Sequence, residues 1–160
     1  MEEKSLLAFI ALAHRHTYAA PLEIKKMYKC EHPILVGHKD YDFVQGDWCY
    51  HDSYAGSTRA PGREVVFFKE TPVRSMAYQG YHNPKYDEAF FQEQVFPFLG
   101  NALMNFDDAM PFRGPNSFAE GDFHYIFDME GDYQYFKGQE KIFYQEETIF
   151  TQDVMGTLIK

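Results

Sequence analysis

The pattern of apolar and polar positions along the chain predicts two helices, each followed by a run of short strands. The first helix begins behind Ser5, where apolar residues recur every three or four positions. The second runs roughly over 87–105, and Pro97 must kink or restart it because proline lacks the amide hydrogen. Short polar links separate the strands, and links this short join antiparallel neighbours. The elements therefore alternate as helix, strands, helix, strands.

The two strand runs resemble each other. Gly46-Asp47-Trp48-Cys49-Tyr50 recurs as Gly131-Asp132-Tyr133-Gln134-Tyr135, and 62–68 recurs in the same order as 138–144. Each Gly-Asp pair lies between apolar runs and predicts a tight hairpin. The first copy differs by an insertion at 51–61, which we expect to form the rim of a site.

From these repeats we predict one α+β domain over residues 1–160, internally duplicated as a helix plus an antiparallel β-meander. Its two pseudo-symmetric halves would cover about 2–80 and 84–160. Two such halves can bury their helices against one face of a sheet, or pack side by side about a pseudo-twofold axis.

Charge and cysteine content narrow the function classes. The net charge is −9, from 15 basic and 24 acidic residues, a field that repels phosphate backbones and anionic membranes. We therefore expect no direct nucleic-acid partner and no membrane partner. Only Cys30 and Cys49 are present, and the acidic N-terminus is unlike a secretory leader, so we predict a cytoplasmic location. No phosphate-binding glycine loop or metal-ligand spacing is found, and we expect no cofactor and no metal.

Aromatic residues make up 18% of the chain, which predicts either a ring-packed core or a ring-lined pocket. Glu64 and Glu140 each begin an apolar strand face, which is a costly place for an ion unless it is paired or protonated. The alternative is that both reach solvent or bond nearby backbone amides. The predicted ligand-binding residues, chosen from one strand face and the neighbouring elements, are Trp48, Tyr50, Asp52, Tyr54, Glu64, Met76, Tyr78 and Arg113; the role of Glu140 stays open.

Three functions fit this pattern. In the first, a small neutral or cationic aromatic molecule binds among the rings, with Glu64 or Asp52 as counter-charge. In the second, the domain is a small hydrolase or isomerase in which one of these carboxyls acts as general acid/base. In the third, the aromatic faces form a homodimer interface without a ligand. The sequence alone does not decide whether the protein is an enzyme.

A family resemblance favours the first function. Gly46-Asp47-Trp48, Asp52-Ser53-Tyr54, Glu64-Val65-Val66 and Pro72-Val73, with Met76 and Tyr78, resemble a bacterial domain family of unknown function. Members of that family often follow an Xre-type helix-turn-helix in transcriptional regulators. The resemblance implies a sensor-like, ligand-binding module rather than a catalyst, and it implies an aromatic residue where this chain has Arg74. We expect this domain to stand alone, with any regulatory role exercised through another chain.

Overall fold

One eight-stranded antiparallel sheet dominates the protein, as seen in a computed structural model that describes residues 2–160. The strand order is β1-β2-β3-β4-β8-β7-β6-β5, so each half is a meander and the halves join where β4 lies beside β8. The strands are β1 (His38–Gln45), β2 (Trp48–Ala55), β3 (Gly62–Phe68), β4 (Thr71–His82), β5 (Ser117–Glu120), β6 (Phe123–Gly131), β7 (Tyr135–Tyr144) and β8 (Glu147–Leu158).

Two hairpins, β3–β4 and β7–β8, share their turn and their irregularity. Lys69-Glu70 and Gln145-Glu146 have positive φ at both residues, which is the type I′ geometry that suits the twist of two-residue hairpins. The register then shifts between Val66 and Phe67 in one hairpin and between Ile142 and Phe143 in the other. The two hairpins consequently carry Glu64 and Glu140 at matching positions.

The helices cover one face of the sheet. They are α1 (Glu3–His16), α2 (Leu22–Met27), α3 (Glu88–Phe90) and α4 (Phe96–Met104), with a π-helical turn at Phe91–Val95 joining the last two. In that turn the Phe96 amide donates to the Phe91 carbonyl. The wider turn comes just before Pro97, which has no amide hydrogen to continue an α-helical ladder. No helix among residues 2–160 is long and apolar enough to cross a membrane.

The core lies between this face of the sheet and the helices. α1 packs on β1 and β2, and α4 packs on β5 and β6. Side chains alternate across each strand, so every second residue points into the core. Apolar members that are completely buried include Leu6, Ile10, Tyr50, Val66, Met76, Phe91, Val95, Phe112, Tyr125, Phe136, Ile142 and Ile149.

The predicted fold class is wrong. The molecule is sheet-dominated, not a balanced α+β fold built from a duplicated helix and meander. α1 is one continuous helix of 14 residues, whereas the later helix is broken by the π-helical turn, and α2 has no counterpart in the second half.

The expected strand-for-strand match of 41–80 with 123–156 is also wrong. After Gly46-Asp47 the chain forms β2 and then a separate β3, but after Gly131-Asp132 it enters β7, which also contains Glu140. The insertion at 51–61 is only partly a loop, because β2 continues through it to Ala55. Similar local sequence therefore encodes similar hairpins without encoding the same number of strands.

Candidate functional site

Charged residues occupy the inner face of the first half of the sheet. Asp52 of β2, Glu64 of β3 and Met76 of β4 lie directly beside one another in register. In the neighbouring row, Tyr50, Val66 and Arg74 are in register. Asp52, Glu64 and Arg74 are each only 1% exposed. Period-two alternation therefore directs two carboxyls and a guanidinium into the interior beneath α1.

Several polar atoms in this region lack hydrogen-bond partners. Within residues 2–160, no partner is found for Tyr50 Oη, Asp52 Oδ2, Glu64 Oε1 or any of the three guanidinium nitrogens of Arg74. We name Tyr50, Asp52, Glu64 and Arg74 the open cluster. Buried polar groups in folded proteins nearly always have partners, so several unpaired atoms in adjacent positions require a reason.

Asp52 is held by one hydrogen bond and has a perturbed pKa. The Tyr78 hydroxyl donates to Asp52 Oδ1 at 2.7 Å. Burial, followed by the negative charge of Glu64, raises the pKa of Asp52 to about 7, against smaller opposing effects from Tyr78, Lys25 and Arg113. Asp52 therefore exchanges a proton near neutral pH.

Glu64 is anchored to the helix layer by a histidine. His14 Nε2 lies 3.2 Å from Glu64 Oε2, and the Tyr18 hydroxyl lies 3.3 Å from His14 Nδ1. Burial lowers the pKa of His14 despite the opposing Glu64 charge, so the imidazole is neutral at pH 7. The tautomer that satisfies this arrangement donates from Nε2 to Glu64 and accepts at Nδ1 from Tyr18. α1 thus fixes one oxygen of Glu64 and leaves the other available.

Arg74 packs against rings instead of pairing with a carboxylate. Its guanidinium carbon lies 4.5 Å from the centre of the Phe112 ring and 5.5 Å from that of Phe136. The two rings stack with centroids 4.5 Å apart. Burial lowers the pKa of Arg74, and Glu64 supplies the largest opposing effect. Aromatic faces stabilise the charge but accept none of its in-plane hydrogen bonds.

The second half of the sheet contains a fully bonded counterpart. Glu140 accepts from Arg113 Nε at 3.0 Å, from the Tyr125 hydroxyl at 2.6 Å and from Gln152 Nε2 at 2.7 Å. Arg113 Nη2 lies 3.0 Å from the other Glu140 oxygen, which completes a bidentate pair. We name Arg113, Tyr125, Glu140 and Gln152 the closed cluster. Its groups bind one another, which fits a structural role.

The predicted binding residues are only partly brought together. Tyr50, Asp52, Glu64 and Met76 are buried neighbours, and Tyr78 joins them through Asp52. Trp48 lies near one end of the strand, stacked on Phe9 at 5.2 Å, and Tyr54 lies near the other, stacked on Tyr41 at 6.0 Å. Arg113 belongs to the closed cluster.

Sequence reasoning missed three residues of this region, namely His14, Tyr18 and Arg74. Arg74 shares a strand face with Met76 and Tyr78, two and four residues away, and period-two alternation would have found it. His14 lies on the apolar stripe of α1, where a buried histidine needs a polar partner.

Other concave surfaces lie on the opposite face of the sheet. One groove of about 740 Å³ is lined by Gln79, Lys137 and Asp153 among others, and a second of about 410 Å³ is lined by Ile34, Val65 and their neighbours. Polar groups in the larger groove bind each other, as in the Gln139–Asp153 and Lys137–Glu130 pairs. Within residues 2–160, no group of three or more His, Cys, Asp or Glu side chains is arranged to hold a metal ion. The open cluster is therefore the candidate site.

The fold and the open cluster define a sheet-based domain with unpartnered ionisable groups in its interior. The chain belongs to the family described as a domain of unknown function, DUF5680, whose model matches residues 52–159. The matched part includes Asp52, Glu64 and Arg74, whereas α1 with His14 precedes it. Searches of curated proteins and of solved structures found no match.

Proposed function

We propose that this domain is a binding module for a small molecule, which lies in the interior beside the open cluster. The observation that carries the proposal is the set of buried atoms without partners on Tyr50, Asp52, Glu64 and Arg74. A buried, unpaired ion costs several kcal/mol. A ligand that supplies the missing partners removes this cost and stabilises the folded protein by mass action.

The contrast with Arg113 supports this interpretation. The same chain gives Arg113 a bidentate carboxylate, so buried guanidinium groups in this fold do acquire partners. The likeness to domains that accompany Xre-type helix-turn-helix regulators supports a sensory role. Cys30 and Cys49 are free thiols, which agrees with a cytoplasmic setting.

Catalysis is the second candidate, and one observation favours it. A carboxyl whose pKa is about 7, as at Asp52, suits a general acid/base at neutral pH. His14 and Tyr18 continue from Glu64 as a chain of polar contacts. Binding is the simpler proposal because it uses all the unpaired atoms, including those of Arg74, which acid/base chemistry at Asp52 does not require.

The test is native mass spectrometry of the purified protein, compared with its spectrum after denaturation. We expect the wild type to carry a non-covalent small molecule, and Arg74→Met to lose it. Arg59→Met is the matched control, because Arg59 is exposed and its guanidinium reaches His82 instead of the interior. A wild type without bound molecules, with an experimental structure showing only ordered water around Arg74, would contradict the proposal. A bound molecule that is converted on incubation would favour catalysis.

A further inference from the structure

We propose that the ligand is an uncharged planar molecule with an amide edge, whose carbonyl accepts from Arg74 while its N–H donates to the Asp52–Glu64 pair. This inference rests on the proposed function and names the ligand chemistry of that same site. Aromatic carboxamides and cyclic amides share such an edge. The argument uses hydrogen-bond capacity first and shape second.

Arg74 requires an acceptor. A guanidinium is a donor only, with five N–H groups in a rigid plane. All three of its nitrogens are buried, and no partner for them is found in the described part of the chain, residues 2–160. The Phe112 and Phe136 rings lie against the group and restrict its movement. Any ligand that satisfies Arg74 must therefore present a hydrogen-bond acceptor, and a carbonyl oxygen is an uncharged group that does so.

Glu64 requires a donor, and so does Asp52 in its ionised form. Glu64 Oε1 and Asp52 Oδ2 are unpaired on residues that lie directly opposite each other in register. A carboxylate ligand would bond Arg74 but place a third acidic group beside these two. A cationic ligand would bond the carboxyls but leave Arg74 unpaired and face its charge. Only a ligand with both an acceptor and a donor, and without net charge, satisfies both sides.

The surroundings favour a flat ligand. The ring of Tyr50 meets that of His14 edge to face at 5.5 Å, close to Glu64. The Phe112–Phe136 stack lies on the Arg74 side. Aromatic walls contact planar molecules over a large area at little cost in conformational freedom.

Calorimetric titration with three matched probes tests the inference, using benzamide, benzoate and benzylammonium. They have similar size and shape but are neutral, anionic and cationic. We expect benzamide to bind at least tenfold more tightly than either ion. We also expect Arg74→Met to weaken benzamide at least tenfold and Arg59→Met to leave its binding unchanged. Glu64→Gln provides a second variant that retains volume and hydrogen-bonding capacity, and it should weaken benzamide by a smaller factor.

The outcomes separate this inference from the proposed function. Tighter binding of benzoate or benzylammonium, lost in Arg74→Met or Glu64→Gln, overturns the amide assignment and keeps the binding module. Benzamide affinity that is equal in wild type and Arg74→Met also overturns the assignment. No binding of any probe overturns the amide assignment. If the native spectrum also shows no co-purifying molecule, the proposed function is overturned as well.

Discussion

Glu64 and Glu140 occupy the same position in two similar hairpins, yet their surroundings differ. Both are buried, two residues after a glycine and two residues before an apolar side chain of the core. Across the strand pair, Glu140 lies between Phe127 and Gln152. Glu64 lies between Asp52 and Met76. Within its own hairpin Glu140 thus has an amide donor as neighbour, whereas Glu64 has a thioether. On the preceding strand Glu140 has an aromatic neighbour, whereas Glu64 has a second acid.

The two glutamates differ in how many hydrogen-bond partners the protein provides for them, which indicates different roles for the two buried carboxylates. Around Glu140 the protein provides three donors from side chains, so the negative charge is balanced and bonded internally. Around Glu64 the protein provides His14 for one oxygen and leaves the other without a partner among the residues that the structure describes. Similar backbone geometry therefore supports a self-contained network in one half and an unsatisfied set of groups in the other.

The largest expected effect comes from neutralising the two glutamates in turn. Glu140→Gln should lower the free energy of unfolding by about 3–5 kcal/mol, because Arg113 is left buried without a counter-charge. Glu64→Gln should change it by less than about 1 kcal/mol, because loss of the Glu64 charge lowers the pKa of Asp52, which then ionises and balances Arg74. Urea melts measure both values.

A loss of several kcal/mol in Glu64→Gln, equal to that in Glu140→Gln, would make the open cluster an internal ion network. The comparison between the two halves would then fail. A double variant, Arg74→Met with Glu64→Gln, provides the control, and it should be at least as stable as the wild type because both unpaired ions are removed together.

A pH series sharpens the comparison at Asp52. Its folded-state pKa is about 7, against 3.8 as the reference. Below about pH 4 Asp52 is protonated in both the folded and the unfolded protein. Between about pH 4 and pH 7 only the folded protein keeps this proton. The free energy of unfolding therefore falls as pH rises, and the loss is complete above pH 7. Relative to Asp52→Asn, we expect the wild type to lose about 2–4 kcal/mol between pH 4 and pH 8.

Chemical denaturation at both pH values checks this result. The difference between wild type and Asp52→Asn removes the contribution of groups that titrate alike in both proteins. A difference that stays constant between pH 4 and pH 8 would show that Asp52 remains ionised throughout.

The smallest expected changes in stability come from removing the tyrosine hydroxyl that donates to a buried acid in each cluster. Tyr125→Phe should cost about 2–3 kcal/mol, because the hydroxyl bonds Glu140 at 2.6 Å and accepts from the buried Gly114 amide. Tyr78→Phe should cost about 1 kcal/mol, since it removes one bond to an acid that is partly protonated at pH 7. Thermal and urea unfolding of the pair provide the measurement. Equal costs would indicate that Asp52 is held as firmly as Glu140.

Much of the local structure follows from the sequence. A helix near the N-terminus and a helix near 87–105 are both present, although the first begins at Glu3 and not behind Ser5. The hairpin at Gly46-Asp47 joins β1 to β2. Polar links such as Lys69-Glu70 form tight turns. Each of these features depends on residues close together in the chain, where periodicity and turn chemistry act directly.

The candidate site was only partly predictable. Alternation along β2 correctly groups Tyr50 with Asp52, and the apolar pattern correctly marks Glu64 as buried. The same reasoning places Trp48 and Tyr54 with them, but the strand is long enough to separate these rings toward its two ends. Face alternation fixes which side of the sheet a residue lies on, not how far apart two residues on that side lie.

Contacts between side chains from distant segments of the chain depend on the tertiary structure. The sequence pattern places Arg113 among the predicted binding residues, whereas the loop after α4 brings it to Glu140. The meeting of β4 with β8 brings the two halves into one sheet, and no local pattern encodes that pairing.

The sequence by itself determined that two acidic side chains would begin apolar strand faces, because alternation and an apolar context act within a few residues. Only the tertiary structure decided that Glu140 would be fully bonded and that Glu64 would not. The donors to Glu140 come from the loop after α4, from β6 and from β8, and the donor to Glu64 comes from α1. Their positions depend on the long-range packing of the whole sheet. Burial is a local property of the pattern, whereas hydrogen-bond satisfaction is a property of the assembled fold.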